Sequence, residues 1–136
     1  MLKIKGFSLV ELMVVIAIIA ILASIGMPMY TNYILKSHRS EANAELLSAA
    51  SAADNFEIRN GVFPSGNDIS TFYHDTTQNN YYTLSYCGGG DNACPNVNYV
   101  ITATAINSQT SDTPCQSIEI EVNGAVINKT PTECWN

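Results

Sequence analysis

Met1-Leu2-Lys3-Ile4-Lys5-Gly6-Phe7-Ser8-Leu9-Val10-Glu11-Leu12 opens the chain, and the run that follows to Met29 is built almost wholly of Leu, Ile, Val, Ala and Met. Between Phe7 and Met29 the one charged side chain is Glu11. A carboxylate inside a membrane-length apolar stretch costs about 2.5–3.5 kcal/mol on insertion scales, so it calls for a partner. Phe7 to Met29 approaches the roughly 20 residues that cross a bilayer. Lys3 and Lys5 then hold the N-terminus in the cytoplasm, and everything after Tyr30 is expected on the far side of the membrane. A secretory signal peptide shares the basic start and the apolar run, and Ser24-Ile25-Gly26 offers a small-residue cut. Such an apolar region has no use for a carboxylate, however, and Glu11 stands near the start of this one.

Outward from this stretch, the pattern predicts one helix from about Phe7 to Asn60, some 80 Å long at a rise of about 1.5 Å per residue. Its first half is apolar all round. From about Lys36 the pattern becomes amphipathic, with Leu35, Ala42, Leu46, Ala49, Ala53 and Phe56 in a stripe at alternating helical spacing. That stripe is expected to lie on a folded domain. Glu41, Glu45, Asp54, Glu57 and Arg59 read as the solvated face opposite. Gly26 and Pro28 interrupt the helix, since Pro lacks the amide donor and clashes with the preceding turn.

Asn60-Gly61-Val62-Phe63-Pro64-Ser65-Gly66 breaks the helix, and the polar run to Asn80 reads as a surface loop. Strands are expected over Tyr81–Tyr86, Tyr99–Ile106 and Ser117–Val122, the last alternating Ser117, Glu119, Glu121 against Ile118, Ile120, Val122. Asn123-Gly124 is a hairpin turn into Ala125-Val126-Ile127. Four antiparallel strands on the amphipathic half of a helix make an α+β domain. Four cysteines, Cys87, Cys94, Cys115 and Cys134, lie in the outer portion, where disulfides persist. They permit three pairings. Neighbourhood in sequence favours Cys87 with Cys94 and Cys115 with Cys134, and zinc is disfavoured because the cysteines do not fall in closely spaced pairs.

Length and charge exclude other classes. Without a six-residue leader and the apolar segment, roughly 107 of the 136 residues remain, enough for one small domain. The chain has six basic and twelve acidic residues; losing Lys3 and Lys5 leaves four against twelve, a side-chain charge of −8. Such a surface repels nucleic acid and anionic lipid. His38 on the polar side of the helix and His74 in the loop have no nucleophile at motif spacing and read as surface histidines. Gly88-Gly89-Gly90 lacks the context of a phosphate cradle. Asp91 and Asn92 lack the further oxygens that calcium needs. Asn128-Lys129-Thr130 fits a glycosylation sequon of little weight. No catalytic residue, metal or cofactor is expected.

Met1 to about Pro28 resembles the type IV prepilin signature: a basic leader, Gly6 at the cleavage point, Phe7 as the new N-terminus and Glu11 four residues on. More loosely, the chain is similar to minor pilins of the PilE class through its long helix, strands and late cysteines. The resemblance implies the type IV pilin fold, with residues 1–6 as leader, 7–29 as transmembrane and filament-core segment, and 30–136 as a globular domain that includes the second half of the helix. It implies cleavage between Gly6 and Phe7 by prepilin peptidase, methylation of Phe7, and pairing of the Phe7 amine of one subunit with Glu11 of another. Gly26 and Pro28 mark where the helix becomes extended in assembled pili. A C-terminal disulfide loop of the family matches Cys115 with Cys134.

The function so implied is that of a pilus subunit, a minor pilin, acting in adhesion, twitching motility or DNA uptake. Its partners are other pilin subunits, the inner membrane, the prepilin peptidase and the pilus assembly machinery. It waits in the bacterial inner membrane and ends in an extracellular pilus. A type II secretion pseudopilin shares the leader, Phe7 and Glu11. A DNA-binding competence pilin would need a basic patch to neutralise phosphates, whereas Lys36, Arg39, Arg59 and Lys129 are dispersed in sequence, so nucleic acid is not an expected partner.

Overall fold

The computed structural model describes residues 7–88, 94 and 96–135. The leader with Gly6, and Gly89, Gly90, Asp91 and Asn92, lie outside the described residues. Helix α1 runs Leu9–Asn60 and continues through Gly26 and Pro28. It is followed by four strands, β1 (Tyr82–Gly88), β2 (Tyr99–Ala105), β3 (Ser117–Asn123) and β4 (Val126–Thr130), with short 3-10 turns at Ile69–Thr71, Asn107–Ser111, Thr113–Cys115 and Thr132–Cys134. The chain divides into two compact units, one up to Ile34 and one from Leu35 onward.

In the second unit the strands form one antiparallel sheet in the order β1-β2-β3-β4. Tyr86 pairs with Ile101 and Ile101 with Ile120; Leu84 pairs with Ala103 and Ala103 with Ile118. Because side chains alternate along a strand, these rows put Tyr82, Leu84, Tyr86, Tyr99, Ile101, Ala103, Ile118, Ile120 and Val122 on one buried face. That face closes on Ala42, Leu46, Ala49, Ala50 and Ala53 of α1 in a single core. Four of the five helix residues are alanines, so the sheet's tyrosines supply the volume. The opposite face shows Thr83, Ser85, Thr102, Thr104, Glu119 and Glu121, exposed or half-buried.

The elements differ from expectation in detail. β1 starts and ends later than Tyr81–Tyr86, and β4 reaches Thr130 instead of stopping at Ile127. The β3–β4 turn has Gly124 and Ala125 at its centre, Asn123 being paired with Val126. Gly124 has φ +60° and Ala125 does not have positive φ, as a turn with glycine at its first central position requires. The segment after the helix is less solvated than its polar composition suggested. Ile69 is buried, and Phe63, Phe72 and Tyr73 pack on the core.

Gly88 closes β1 where a side chain would collide. A Cβ there would lie 2.6 Å from the Pro64 carbonyl oxygen, which also accepts a 2.9 Å hydrogen bond from the Tyr86 hydroxyl. The Gly88 amide donates to the Gly66 carbonyl. The connecting segment is thereby held along the outer edge of β1.

Candidate functional site

The first unit carries the residues that sequence reading singled out for processing and assembly. Phe7 precedes the helix and is exposed. The Leu12 amide donates to the Ser8 carbonyl at 3.1 Å, so the helical ladder is already running at Glu11. Glu11 occupies the first turn, where the helix dipole favours negative charge. Every residue from Leu9 to Tyr33 is exposed. The apolar window long enough to cross a membrane is 0% buried within the chain, so its hydrophobic driving force must be met by something outside it.

Gly26 and Pro28 sit inside the helix, and a Cβ on Gly26 would meet nothing within 4 Å. The helix is unbroken at this point. Nearby hydroxyls turn inward onto the ladder: Ser24 Oγ donates to the Ile21 carbonyl at 2.7 Å and Thr31 Oγ1 to the Met27 carbonyl at 3.1 Å.

In the second unit the structure builds a polar cluster that sequence reading did not find. Gln109 is fully buried and Asp112 is 2% exposed. Arg39 Nε and Nη2 donate to the two carboxylate oxygens of Asp112, a forked pairing that is geometrically specific. Gln109 Nε2 donates to Asp112 Oδ2 at 2.9 Å and to the Tyr82 hydroxyl at 2.9 Å, and Tyr82 in turn donates to the Cys115 carbonyl at 3.2 Å. His38 Nδ1 lies 2.8 Å from Gln109 Oε1, and its ring stacks on Tyr81 at 3.4 Å. His38 is therefore no bare surface histidine; it helps fasten the 107–115 segment to the helix. The bond to Asp112 raises the Arg39 pKa.

The helix carboxylates correct a second expectation. Glu45 accepts from the Tyr73 hydroxyl at 2.6 Å and pairs with His74 Nε2 at 2.9 Å. Glu41 accepts from the Asn79 amide and from Asn79 Nδ2, both at 2.9 Å. Asp54 accepts from the Tyr99 hydroxyl at 2.8 Å. These side chains were read as a solvated face, yet each ties another element to α1. Burial and then the Glu45 contact push the Tyr73 hydroxyl up to about 12. Burial does the same to Tyr82 and Tyr86, each about 12, and raises Tyr99 further with help from Asp54.

Sequence signals for these roles were weak. Asn107-Ser108-Gln109-Thr110-Ser111-Asp112 has no periodicity, and its partners on the helix are some 70 positions away. The cysteines join as Cys87–Cys94, with a Cα separation of 6.1 Å, and Cys115–Cys134, with 5.8 Å. Cys115 and Cys134 are buried in the core, and Asn43 Nδ2 donates to the Cys134 carbonyl at 2.8 Å. The second bridge thus ties the chain end beneath the sheet. Among the described residues no group of three or more His, Cys, Asp or Glu side chains is placed to hold a metal.

Comparisons with known proteins agree with this architecture. A fold likeness with a TM-score of 0.52 links the chain to a solved type IV pilin from Shewanella oneidensis, at 22% identity and covering 75% of this chain and 98% of that one. The fimbrial protein EcpB of Eikenella corrodens is 33% identical over 133 residues, 94% of this chain and 79% of that protein. The type IV major alpha-pilin of Moraxella bovis is 52% identical over 50 residues, and the chain spans only 31% of that relative's length. Residues 1–27 match the prokaryotic N-terminal methylation motif. Residues 28–119 match the family described as type IV minor pilin ComP, DNA uptake sequence receptor. On the long apolar-then-anchored helix, the four-stranded sheet and these matches over both units, the chain belongs to the type IV minor pilins of the ComP family.

Proposed function

We propose that this minor pilin is cut between Gly6 and Phe7 by a prepilin peptidase, methylated on Phe7, held in the inner membrane with its globular domain outside, and drawn by the assembly machinery into a filament with other pilin subunits. The observation that carries the reading is the helix segment from Leu9 to Tyr33, apolar and wholly exposed. Lipid covers it before assembly and the apolar helices of other subunits cover it afterwards. In the filament the Phe7 amine of one subunit meets Glu11 of another, and each offsets the desolvation of the other. Removing one partner of a buried pair typically costs about 3–5 kcal/mol.

Glu11→Val tests this. The variant is expected to remain in the membrane fraction, since an apolar side chain is cheaper in lipid, and to drop at least tenfold in sheared filaments. Equal filament recovery would defeat the pairing. N-terminal mass spectrometry tests processing: a start at Met27 would instead indicate a secretory cut.

The family match over residues 28–119 favours a second role, contact with DNA during uptake, despite the acidic balance. Arg39 is engaged by Asp112, and the Lys129 ammonium lies 4.7 Å from the Trp135 ring centroid. Lys36, Arg59 and Lys129 are the cations left for phosphates. Affinity for duplex DNA should then fall with salt at a logarithmic slope no steeper than about −3, set by roughly 0.9 per neutralised phosphate. Fluorescence anisotropy across a salt series measures it. A slope near −6 would require a basic surface built with other subunits, and no binding by the purified chain would remove the role from this subunit alone.

A further inference from the structure

The sequence holds two Asn-Gly pairs, Asn60-Gly61 at the end of α1 and Asn123-Gly124 at the β3–β4 turn. Glycine places no Cβ beside its own nitrogen, so in such a pair that nitrogen reaches the asparagine side chain with least hindrance. Having given its proton to hydroxide, the glycine nitrogen attacks Cγ of the asparagine. The N–Cγ bond forms, the Cγ–Nδ2 bond breaks, and the side-chain nitrogen takes a proton from water and leaves as ammonia. Water then opens the cyclic imide at one or other carbonyl, leaving aspartate or its isomer, whose main chain runs through the side-chain carbon.

Packing shields neither pair. All four residues are exposed, and a Cβ added to either glycine would meet nothing within 4 Å. Hydrogen bonds hold them instead, and the same two nitrogens are held in each. At the helix end the Gly61 amide donates to the Glu57 carbonyl at 2.7 Å and Asn60 Nδ2 to the Phe56 carbonyl at 2.8 Å. At the turn the Gly124 amide donates to Asn98 Oδ1 at 2.9 Å and Asn123 Nδ2 to the Asn96 carbonyl at 3.0 Å. The helix restrains its own pair, whereas the acceptors at the turn come from 26 and 27 positions back along the chain. Asn98 is itself fixed, its amide donating to the Val122 carbonyl at 2.9 Å.

We propose that Asn123-Gly124 is a latent site of covalent modification and that Asn96 and Asn98 keep it closed. The bond to Asn98 engages the proton that has to leave, and an anion formed there would face the Asn98 oxygen. The bond to Asn96 restrains the side chain whose rotation brings Cγ to that nitrogen. Pairing with Val126 also keeps Asn123 in strand β3, while ring closure needs the backbone to turn until the next nitrogen lies beside Cγ.

Opening the site acts on one edge of the sheet. An ionised carboxylate only accepts hydrogen bonds, so at position 123 it has no donor for the Asn96 carbonyl and the restraint does not re-form. The isomer lengthens the main chain by one carbon and displaces the Asn123–Val126 pair at which the β3–β4 register begins. Among the described strands β4 has only β3 beside it. The modification is thus a one-way loosening of β4, timed by the hydrogen bonds of two asparagines in the preceding loop.

The test compares the parent, Asn98→Ala and Asn98→Asp as full-length chains in detergent, held at mildly alkaline pH and followed by peptide mass spectrometry at both Asn-Gly pairs. Asn60 is the internal control, because its restraints lie within α1. Asn98→Ala is expected to convert Asn123 about fivefold faster, the equivalent of one ordinary hydrogen bond, with Asn60 unchanged. Asn98→Asp keeps an oxygen acceptor and is expected to stay within about twofold of the parent. In the parent unfolded in urea with its disulfides reduced, both pairs are expected to convert faster than in the fold. Equal rates at Asn123 in parent and Asn98→Ala would overturn the proposal, as would equal rates in the folded and unfolded parent. Matching acceleration at Asn60 and Asn123 in Asn98→Ala would trace the effect to general loosening and overturn it too.

Discussion

From Leu9 to Tyr33 the long helix shows apolar side chains on every side and buries none of them, whereas from Leu35 to Asn60 it buries five small or medium residues and fastens its polar ones. The two halves share one secondary structure but not one source of stability. The first half has no packing within the chain to stabilise it; in the lipid or filament proposed above, its backbone groups would have no partners but one another. The second is stabilised by tertiary packing of one face, the usual origin of helix stability in water. Its alanines let the sheet approach closely enough for the Tyr99 hydroxyl to reach both the Ala50 carbonyl, at 3.2 Å, and Asp54. An alanine-rich face buries little area per residue, so the hydrogen bonds that Glu41, Glu45 and Asp54 accept add to the attachment.

The contrast is tested most severely at Asp112. Asp112→Ala leaves Arg39 and Gln109 without their shared acceptor, and a loss of about 3–5 kcal/mol is expected for one partner of a buried pair. Denaturant unfolding of the full chain in detergent, followed by near-ultraviolet circular dichroism of the tyrosines, measures it. A loss under about 1 kcal/mol would mean that solvent reaches Arg39 well enough to replace its acceptor.

Leu46→Ala is expected to cost about 3 kcal/mol, because Leu46 is the largest helix residue in the core and leaves a cavity. Removal of the Cys115–Cys134 bridge by the double serine variant should also cost about 3 kcal/mol by the chain-entropy account. Non-reducing peptide mapping checks the connectivity first, and a peptide joining Cys87 to Cys134 would replace both bridges.

Alkali probes the same half more gently. Tyr82 and Tyr86 are held neutral in the fold up to about pH 12, but in the unfolded chain tyrosine ionises near pH 10. Their contribution is complete below pH 10 and is lost as pH rises from about 10 to 12, since the unfolded chain releases protons first. Stability that stays flat through this window would show that the hydroxyls are open to water. The smallest effect belongs to the first half: Ile16→Ala should leave unfolding of the sheet-containing unit within about 0.5 kcal/mol of the parent, as expected away from any packed site. A larger change would show that the two halves support each other energetically.

Much of this contrast was legible in the sequence. An apolar run with one carboxylate reads as a segment that needs an external partner. The alternation of Ser117, Glu119 and Glu121 against Ile118, Ile120 and Val122 reads as a strand with one covered face, and β3 follows it. Strand ends were less legible, because the β4 residues Asn128 to Thr130 carry no apolar alternation and pair only through their neighbour β3. The fastening cluster was not legible. His38, Arg39, Gln109 and Asp112 are polar residues in polar runs, and only the chain's return onto its own helix buries Gln109 and Asp112 and half-buries His38 and Arg39. The carboxylates Glu41 and Glu45 were misjudged for a related reason: helical periodicity shows which face is polar, not whether a loop lies across it.

One feature of the sheet sets how these subunits behave when crowded. The outer edge of β1 is occupied, since Thr76 bridges to Thr83, the Leu84 amide donates to the Asp75 carbonyl and the Gly88 amide to that of Gly66. The other edge, β4, is exposed along all five residues. Sheet extension by a foreign strand is therefore open on one flank only, so uncontrolled pairing among the described strands would stop at dimers instead of running into fibres. Lys129 stands within that open flank, and a charged side chain there is a common guard against edge-to-edge sticking. Against pairing with copies of itself the sheet is thus protected twice, by a capped flank and by a charge on the bare one.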